Sequence, residues 1–286
     1  MNSIAGKSCP DIIPDEEKTD LKDIEKAIIK KYRRKLWSKF IKAVIDFKLV
    51  NENDKIAVAI SGGKDSILMA KLFQELKRHS KYNFDVVFIS MDPGFNDNVR
   101  EVLLDNCRYL NIPVITYKSN IFDIVDEKAK NYPCYLCARM RRGSLYAKAK
   151  ELKCNKLALG HHFNDVIETI MLNILYSGNY KTMMPKLKAQ NFEGMEIIRP
   201  LYYIEEDDII EFKKYCNIKF LDCACEVAAK KTGNKRFEIK KLIKDLKKIS
   251  PEVDKSIFKS AQNVDLDNIL GWNKNGNKFD FMQEYD

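Results

Sequence analysis

The amino-acid sequence predicts an α/β protein: a doubly wound parallel sheet with an N-terminal helix before it and a C-terminal helical extension after it. Three observations predict this. Short apolar runs at Lys55–Ile60, Phe84–Ser90, Pro113–Lys118 and Lys156–Leu159 alternate with helical patterns such as Asn98–Leu110 and Arg139–Leu152, and such alternation favours parallel strands joined by right-handed crossovers. The first run leads directly into Ser61-Gly62-Gly63-Lys64-Asp65-Ser66 and then into the helical pattern Ile67, Leu68, Leu72, Phe73, Leu76. Polar motifs follow three of the strands, at the carboxyl ends where sheets of this kind bind ligands.

Along the chain, residues 1–20 read as a loose tail. Residues 21–48 read as one amphipathic helix, because Ile24, Ile28, Tyr32, Leu36, Phe40, Val44 and Phe47 recur at steps of three and four. Its other face is basic. Residues 49–205 form the expected α/β domain, with Met195–Arg199 as a short fifth strand. Residues 206–270 read as helices interrupted by an insertion at Cys223–Asn234, and residues 271–286 as a tail.

The chain has 286 residues, of which 45% are hydrophobic, so a sizeable core is available. No stretch approaches the roughly 20 apolar residues of a membrane span. Met1–Asp20 lacks the apolar segment of a secretory signal, which leads us to expect a cytoplasmic protein. There the eight cysteines are not a disulfide framework but candidates for metal binding or catalysis. The net charge is +9. The excess is clustered, first around Lys31, Arg33, Arg34, Lys35 and Lys39, then at Arg139, Arg141 and Arg142, then from Lys230 through Arg236 to Lys248. Clustered cations suit a phosphate-backbone partner. Solvated helix faces are the plain alternative.

Ser61–Ser66 is a candidate phosphate cradle. Glycines let backbone N–H groups approach an anion, and the following helix start adds unpaired donors and a positive dipole end. Lys64 adds a charge, Ser61 and Ser66 add hydroxyls, and Asp65 is suited to a hard cation such as Mg²⁺. The spacing is not that of the Walker loop. Met91-Asp92-Pro93-Gly94-Phe95 and Gly160-His161-His162 follow the second and fourth strands, so Met91, Gly160, His161 and nearby Asp165 join the candidate nucleotide site.

Cys134-Tyr135-Leu136-Cys137 is a C-x-x-C, and Cys223-Ala224-Cys225 is a C-x-C. The pairs admit a structural zinc, a redox or persulfide pair, an iron–sulfur cluster or inert buried thiols. Cys107, Cys154 and Cys216 lie among apolar neighbours and read as core packing.

Ser61–Ser66 resembles the PP-loop of the ATP pyrophosphatases. The run from Cys134 through Cys137, Arg139, Arg141 and Arg142 to Gly143 resembles the signature of the tRNA 2-thiocytidine synthetase (TtcA) family. Pro93-Gly94-Phe95, Gly160-His161-His162, Asp165, Glu168, Asn173 and Arg199-Pro200-Leu201 agree with that family, from about residue 30 to 265. The resemblance implies ATP-dependent adenylation of the C2 oxygen of a tRNA cytidine and its replacement by sulfur. It implies ATP, Mg²⁺ near Asp65, and a [4Fe–4S] cluster on Cys134, Cys137 and a third cysteine, Cys225 or Cys223. Lys64 and Asp65 would be catalytic with those cysteines. Lys31, Arg33, Arg34, Arg139, Arg141, Arg142 and Arg236 are the candidate RNA contacts. Expected partners are tRNA and a sulfur donor such as a cysteine desulfurase, with no membrane partner and a homodimer as a candidate assembly. Asn164 stands where the family usually has aspartate.

Three other readings compete. A PP-loop enzyme acting on another tRNA nucleoside or on a small-molecule amide would use the same ATP site. A non-catalytic RNA-binding protein with a structural zinc would have no need of Ser61–Ser66. Lysidine formation gives no reason for the cysteine pairs.

Overall fold

A computed structural model describes residues 12–119, 121, 133–221, 235–283 and 285; the side chains of 133–138 lie outside that set. The chain divides into two compact units, Met1–Asp165 with Met184–Gly233, and Val166–Met183 with Asn234–Asp286.

The larger unit holds a sheet of six strands: β1 (Lys55–Ala59), β2 (Asp85–Asp92), β3 (Val114–Lys118), β4 (Lys156–Ala158), β5 (Lys186–Lys188) and β6 (Glu196–Ile198). Their order is β3-β2-β1-β4-β6-β5. All neighbours are parallel except β5 and β6. β1 lies at the centre, with Ala57 opposite Val87 on one side and Leu157 on the other. Ile56, Ala57 and Val58 are fully buried there, which is why this strand reads as a continuous apolar run and not as an alternation. After β1 the chain winds outward through β2 and β3, then returns to the other side of β1 as β4. The switch point therefore opens between the carboxyl ends of β1 and β4.

The helices of this unit are α1 (Leu21–Ile29), α2 (Ser38–Asp46), α3 (Lys64–His79), α4 (Asp97–Tyr109), α5 (Pro133–Glu151), the start of α6 (Phe163–Ser177) and α7 (Glu206–Cys216). Capping marks two of the starts: Asp20 accepts the Lys22 N–H, and Asn96 accepts that of Val99. The single helix expected over 21–48 is instead α1 and α2 joined by a π-helical turn at Arg33–Trp37. Tyr32 N–H bonds to the carbonyl of Ala27, five residues back, and the extra residue keeps Tyr32, Leu36 and Phe40 all buried. Tyr32 is held edge-on against Phe212 and Tyr215.

Buried ion pairs fix the amino ends of the strands. The Lys156 ammonium, 2% exposed, meets Asp54 and the Leu49 carbonyl, and Asn155 donates to the same carboxylate. On one face α5 packs Tyr146 and Ala149 into a cluster with Ala57, Ile89, Leu157 and Ile197. As expected, Cys107, Cys154 and Cys216 are buried. Burial pushes the Cys107 and Cys216 thiols up to about 12, so both stay protonated and unreactive at neutral pH.

The smaller unit contains the rest of α6, α8 (Lys235–Ile249) and α9 (Val253–Ser260). Tyr176 donates to Glu238 and Tyr180 to Ser260. The expected tail at 271–286 contains an antiparallel hairpin, β7 (Gly271–Lys274) and β8 (Asn277–Asp280). Asn275 and Gly276 form its turn with φ of 54° and 84°, the paired left-handed conformations of a tight hairpin turn. Trp272 stacks on Phe279. β5 was also not expected: three residues, with Leu187 exposed, carry no readable alternation. Among the described residues, no helix is long and apolar enough to cross a membrane.

Candidate nucleotide site at the switch point

The glycine loop is organised by Ser66. Its Oγ accepts the Ser61 N–H and the Ser61 hydroxyl, each at 3.1 Å, and donates to the Gly63 carbonyl at 3.0 Å. Gly62 sits at φ 80°, a left-handed conformation that glycine adopts without strain. A Cβ there would also lie 2.6 Å from Leu221 Cδ1. Gly63 caps α3 without a side-chain partner, so the first N–H groups of that helix face the loop as donors. Gly160, after β4, packs directly on this helix start. A Cβ on it would stand 3.3 Å from the Asp65 carbonyl carbon and the Ser66 nitrogen.

Lys64 lies between two carboxylates, 3.1 Å from Asp65 Oδ2 and 3.3 Å from Glu206 Oε1. Burial alone would lower its pKa, but the attraction of Asp65 and Glu206 outweighs this and the net shift is upward. Lys64 is therefore held as a cation. Glu206 is placed by Asn164, whose side-chain oxygen accepts the Glu206 N–H at 2.9 Å. The neutral amide of Asn164 thus caps the start of α7. Asp65 Oδ1 is buried without a hydrogen-bond partner. Such an orphaned carboxylate oxygen fits a hard cation.

The two histidines after β4 face different groups. His162 is buried between Asp65 and Asp165, with Nε2 3.9 Å from the first and Nδ1 3.6 Å from the second. Asp165 also accepts the His162 backbone N–H at 2.9 Å. His161 Nδ1 accepts from Arg199 Nε at 3.3 Å.

The Met91 side chain is buried against Ile121, with Tyr117 and Met140 around it. The Asp92 that follows builds its loop, accepting N–H bonds from Gly94 and Phe95 and pairing with Arg100 at 2.8 Å.

The basic clusters separate by partner. Lys35 and Lys39 pair with Glu205, Asp208 and Glu211. Arg33 and Arg34 are exposed, and Lys31 lies 4.2 Å above the Tyr215 ring. Among the described residues no carboxylate pairs with Arg139, Arg141 or Arg142. Arg236, a candidate RNA contact, pairs with buried Glu168 at 2.7 Å. Cys134 and Cys137 lie three residues apart among the first five residues of α5. That helix joins β3 to β4, so its first turn belongs at the carboxyl edge of the sheet, the edge that carries the glycine loop. Cys223 and Cys225 lie outside the described residues, as do Lys230 and Lys231. No group of three potential metal-ligating side chains occurs among the described residues.

A profile of the PP-loop domain matches residues 31–230. A tRNA-cytidine(32) 2-sulfurtransferase of Pelobacter propionicus is 37% identical over 231 residues, covering 80% of this chain and 85% of the relative. The chain belongs to this family of PP-loop proteins. A second relative, tRNA-cytidine(32) 2-sulfurtransferase 1 of Francisella philomiragia, is 37% identical over 242 residues, covering 82% and 92% of the two chains. The U34-tRNA thiolase NcsA of Methanococcus maripaludis, solved with its [4Fe-4S] cluster, superposes with a TM-score of 0.64 over 96% of this chain and 91% of its own, at 23% identity. That likeness concerns the fold.

Within this PP-loop protein, the structure brings Ser61–Ser66, Gly160 and Asp165 together, with His162 between Asp65 and Asp165 and with His161 turned to Arg199. The sequence reading missed Glu206 and the roles of Asn164 and Arg199. Glu206 follows Glu205 in an acidic helix start, where a local reading sees only a helix-dipole complement.

Proposed function

We propose that this protein is an ATP-dependent tRNA-cytidine sulfurtransferase that replaces the C2 oxygen of a cytidine with sulfur to give 2-thiocytidine. The observation that carries this reading is the packing of Gly160 on the start of α3. It sets the start of α3, with its unpaired N–H donors, at the switch point of a chain that belongs to a PP-loop family.

The loop N–H groups and Lys64 bind the ATP phosphates and stabilise the charge that develops on them. Asp65, through its unpartnered Oδ1, would hold Mg²⁺ against them. The cytidine C2 oxygen attacks the α-phosphorus, and pyrophosphate leaves with the electron pair of the broken P–O bond. C2 then carries AMP as a good leaving group. A sulfur nucleophile forms a bond to C2, and the C2–O bond breaks with departure of AMP. A [4Fe–4S] cluster, held by Cys134, Cys137 and Cys225 or Cys223, would supply an iron with an open position for that sulfur. Arg139, Arg141 and Arg142, just beyond the cysteines, bind tRNA phosphate, and Lys31, Arg33 and Arg34 extend the basic surface. A cysteine desulfurase is a suitable sulfur source, and a homodimer a suitable assembly.

The test is anaerobic turnover of full-length, iron-loaded protein with ATP, Mg²⁺, sulfide and tRNA, followed by mass spectrometry of the digested nucleosides. The expected products are 2-thiocytidine, AMP and pyrophosphate. A thiolated uridine would move the activity to another nucleoside. Turnover of ATP on a small amide without tRNA would favour a small-molecule thionating enzyme.

A further inference from the structure

Arg199 follows β6, the neighbour of β4, and is 6% exposed. Its guanidinium donates to His161 Nδ1 at 3.3 Å and to the Met184 carbonyl. No carboxylate lies within ion-pair distance of it among the described residues. Burial, and then the charge of Arg142, bring its pKa down to about 10, while Asp165 acts on it from farther away. It is therefore still a cation at neutral pH.

A guanidinium carries donors and no acceptor. The imidazole nitrogen that meets it must present a lone pair. In neutral imidazole only one ring nitrogen bears a proton, so a lone pair on Nδ1 leaves the proton on Nε2. A proton on Nδ1 would break the bond and set an imidazolium against a buried cation. The lone pair that His161 would need as a base is already occupied.

We infer that Arg199 is a positioning residue that fixes His161 as the neutral Nε2–H tautomer, so that His161 serves the site as a hydrogen-bond donor and not as a proton-transfer group. The donor role rests on the adenylation reading above; the tautomer does not. An Nε2–H donor suits an acceptor oxygen, whether on the nucleotide phosphates or on the pyrimidine.

The experiment is ¹⁵N NMR of full-length protein labelled at histidine. The chain has three histidines, and His79→Gln and His161→Gln assign the signals. At neutral pH the expected His161 pattern is an imine-type Nδ1 and a protonated Nε2. Arg199→Gln should mix the two tautomers, and Arg199→Lys, which keeps a donor, should restore much of the wild-type pattern. A proton on Nδ1 in the wild type overturns the proposal, as does an unchanged pattern in folded Arg199→Gln. If that variant does not fold, the wild-type spectrum decides.

A second arm measures thiolation. His161→Gln keeps an N–H donor and should lose no more than about tenfold, the scale of one hydrogen bond. His161→Phe should lose roughly 100-fold. Equal large losses would indicate proton transfer and overturn the donor role. A rise in KM for ATP in His161→Phe assigns the acceptor to the nucleotide, and a rise for tRNA assigns it to the pyrimidine. The NMR needs neither tRNA nor cluster, so failure of the thiolation reading leaves the tautomer result standing.

Discussion

Glu206 Oε1 lies 3.3 Å from Lys64 Nζ, so the lysine of the glycine loop already has a carboxylate partner from the first turn of α7. An incoming phosphate must compete for that ammonium and sits close to the Glu206 charge. Glu206→Gln removes both obstacles. In Mg²⁺-free buffer it should bind ATP about fivefold more tightly than wild type, as expected for a partly screened charge pair. Calorimetric titration checks this. Weaker binding in the variant would mean that Glu206 helps the nucleotide directly.

The approach of Gly160 to α3 predicts a local defect. In Gly160→Ala the new methyl meets backbone at 3.3 Å, and backbone yields less readily than a side-chain end. The helix start must shift. The expected result is a stability loss of about 1–3 kcal/mol and an increase in KM for ATP of at least about tenfold. Urea unfolding and steady-state kinetics read the two effects. Unchanged ATP affinity would show that the loop does not depend on this contact.

Asp92 predicts a pH signature. Burial raises its pKa, but the Phe95 and Gly94 N–H bonds and Arg100 more than reverse this, so the folded value is below the ordinary one. Its contribution is therefore present above the unfolded pKa of about 4 and is lost as pH falls through the folded value. Asp92→Asn should cost about 1–3 kcal/mol at neutral pH, and the gap to wild type should close in acid. Denaturant midpoints between neutrality and pH 3 give the comparison. A gap independent of pH would rule out a charge contribution.

Anaerobically purified protein should contain about four iron and four sulfide per chain. Cys134→Ala should abolish the cluster, and only one of Cys223→Ala and Cys225→Ala should do the same. One zinc and no iron would remove the cluster from the mechanism.

The sequence by itself determined the strand-loop-helix unit at residues 55–79, the α/β alternation and the cysteine–arginine block. These are local patterns: an apolar run that needs burial on both faces, glycines placed at a turn, a helical repeat. The hairpin's turn pair, Asn275-Gly276 between aromatic residues, is a local pattern too, but the polar residues around it carry no alternation that marks strands. The break between α1 and α2 was not legible, because a π-helical turn keeps the apolar repeat that signals one continuous helix. Only the tertiary structure decided the pairings that make the site. Gly160 on Asp65, Glu206 on Lys64 and Arg199 on His161 join residues far apart in the chain. They meet because β4 crosses back to lie beside β1 and β6 pairs with β4. Periodicity reports which face of an element is buried, and strand order depends on how all the buried faces are satisfied together. The raised pKa of Lys64 and the contact of Arg199 with His161 follow from that order.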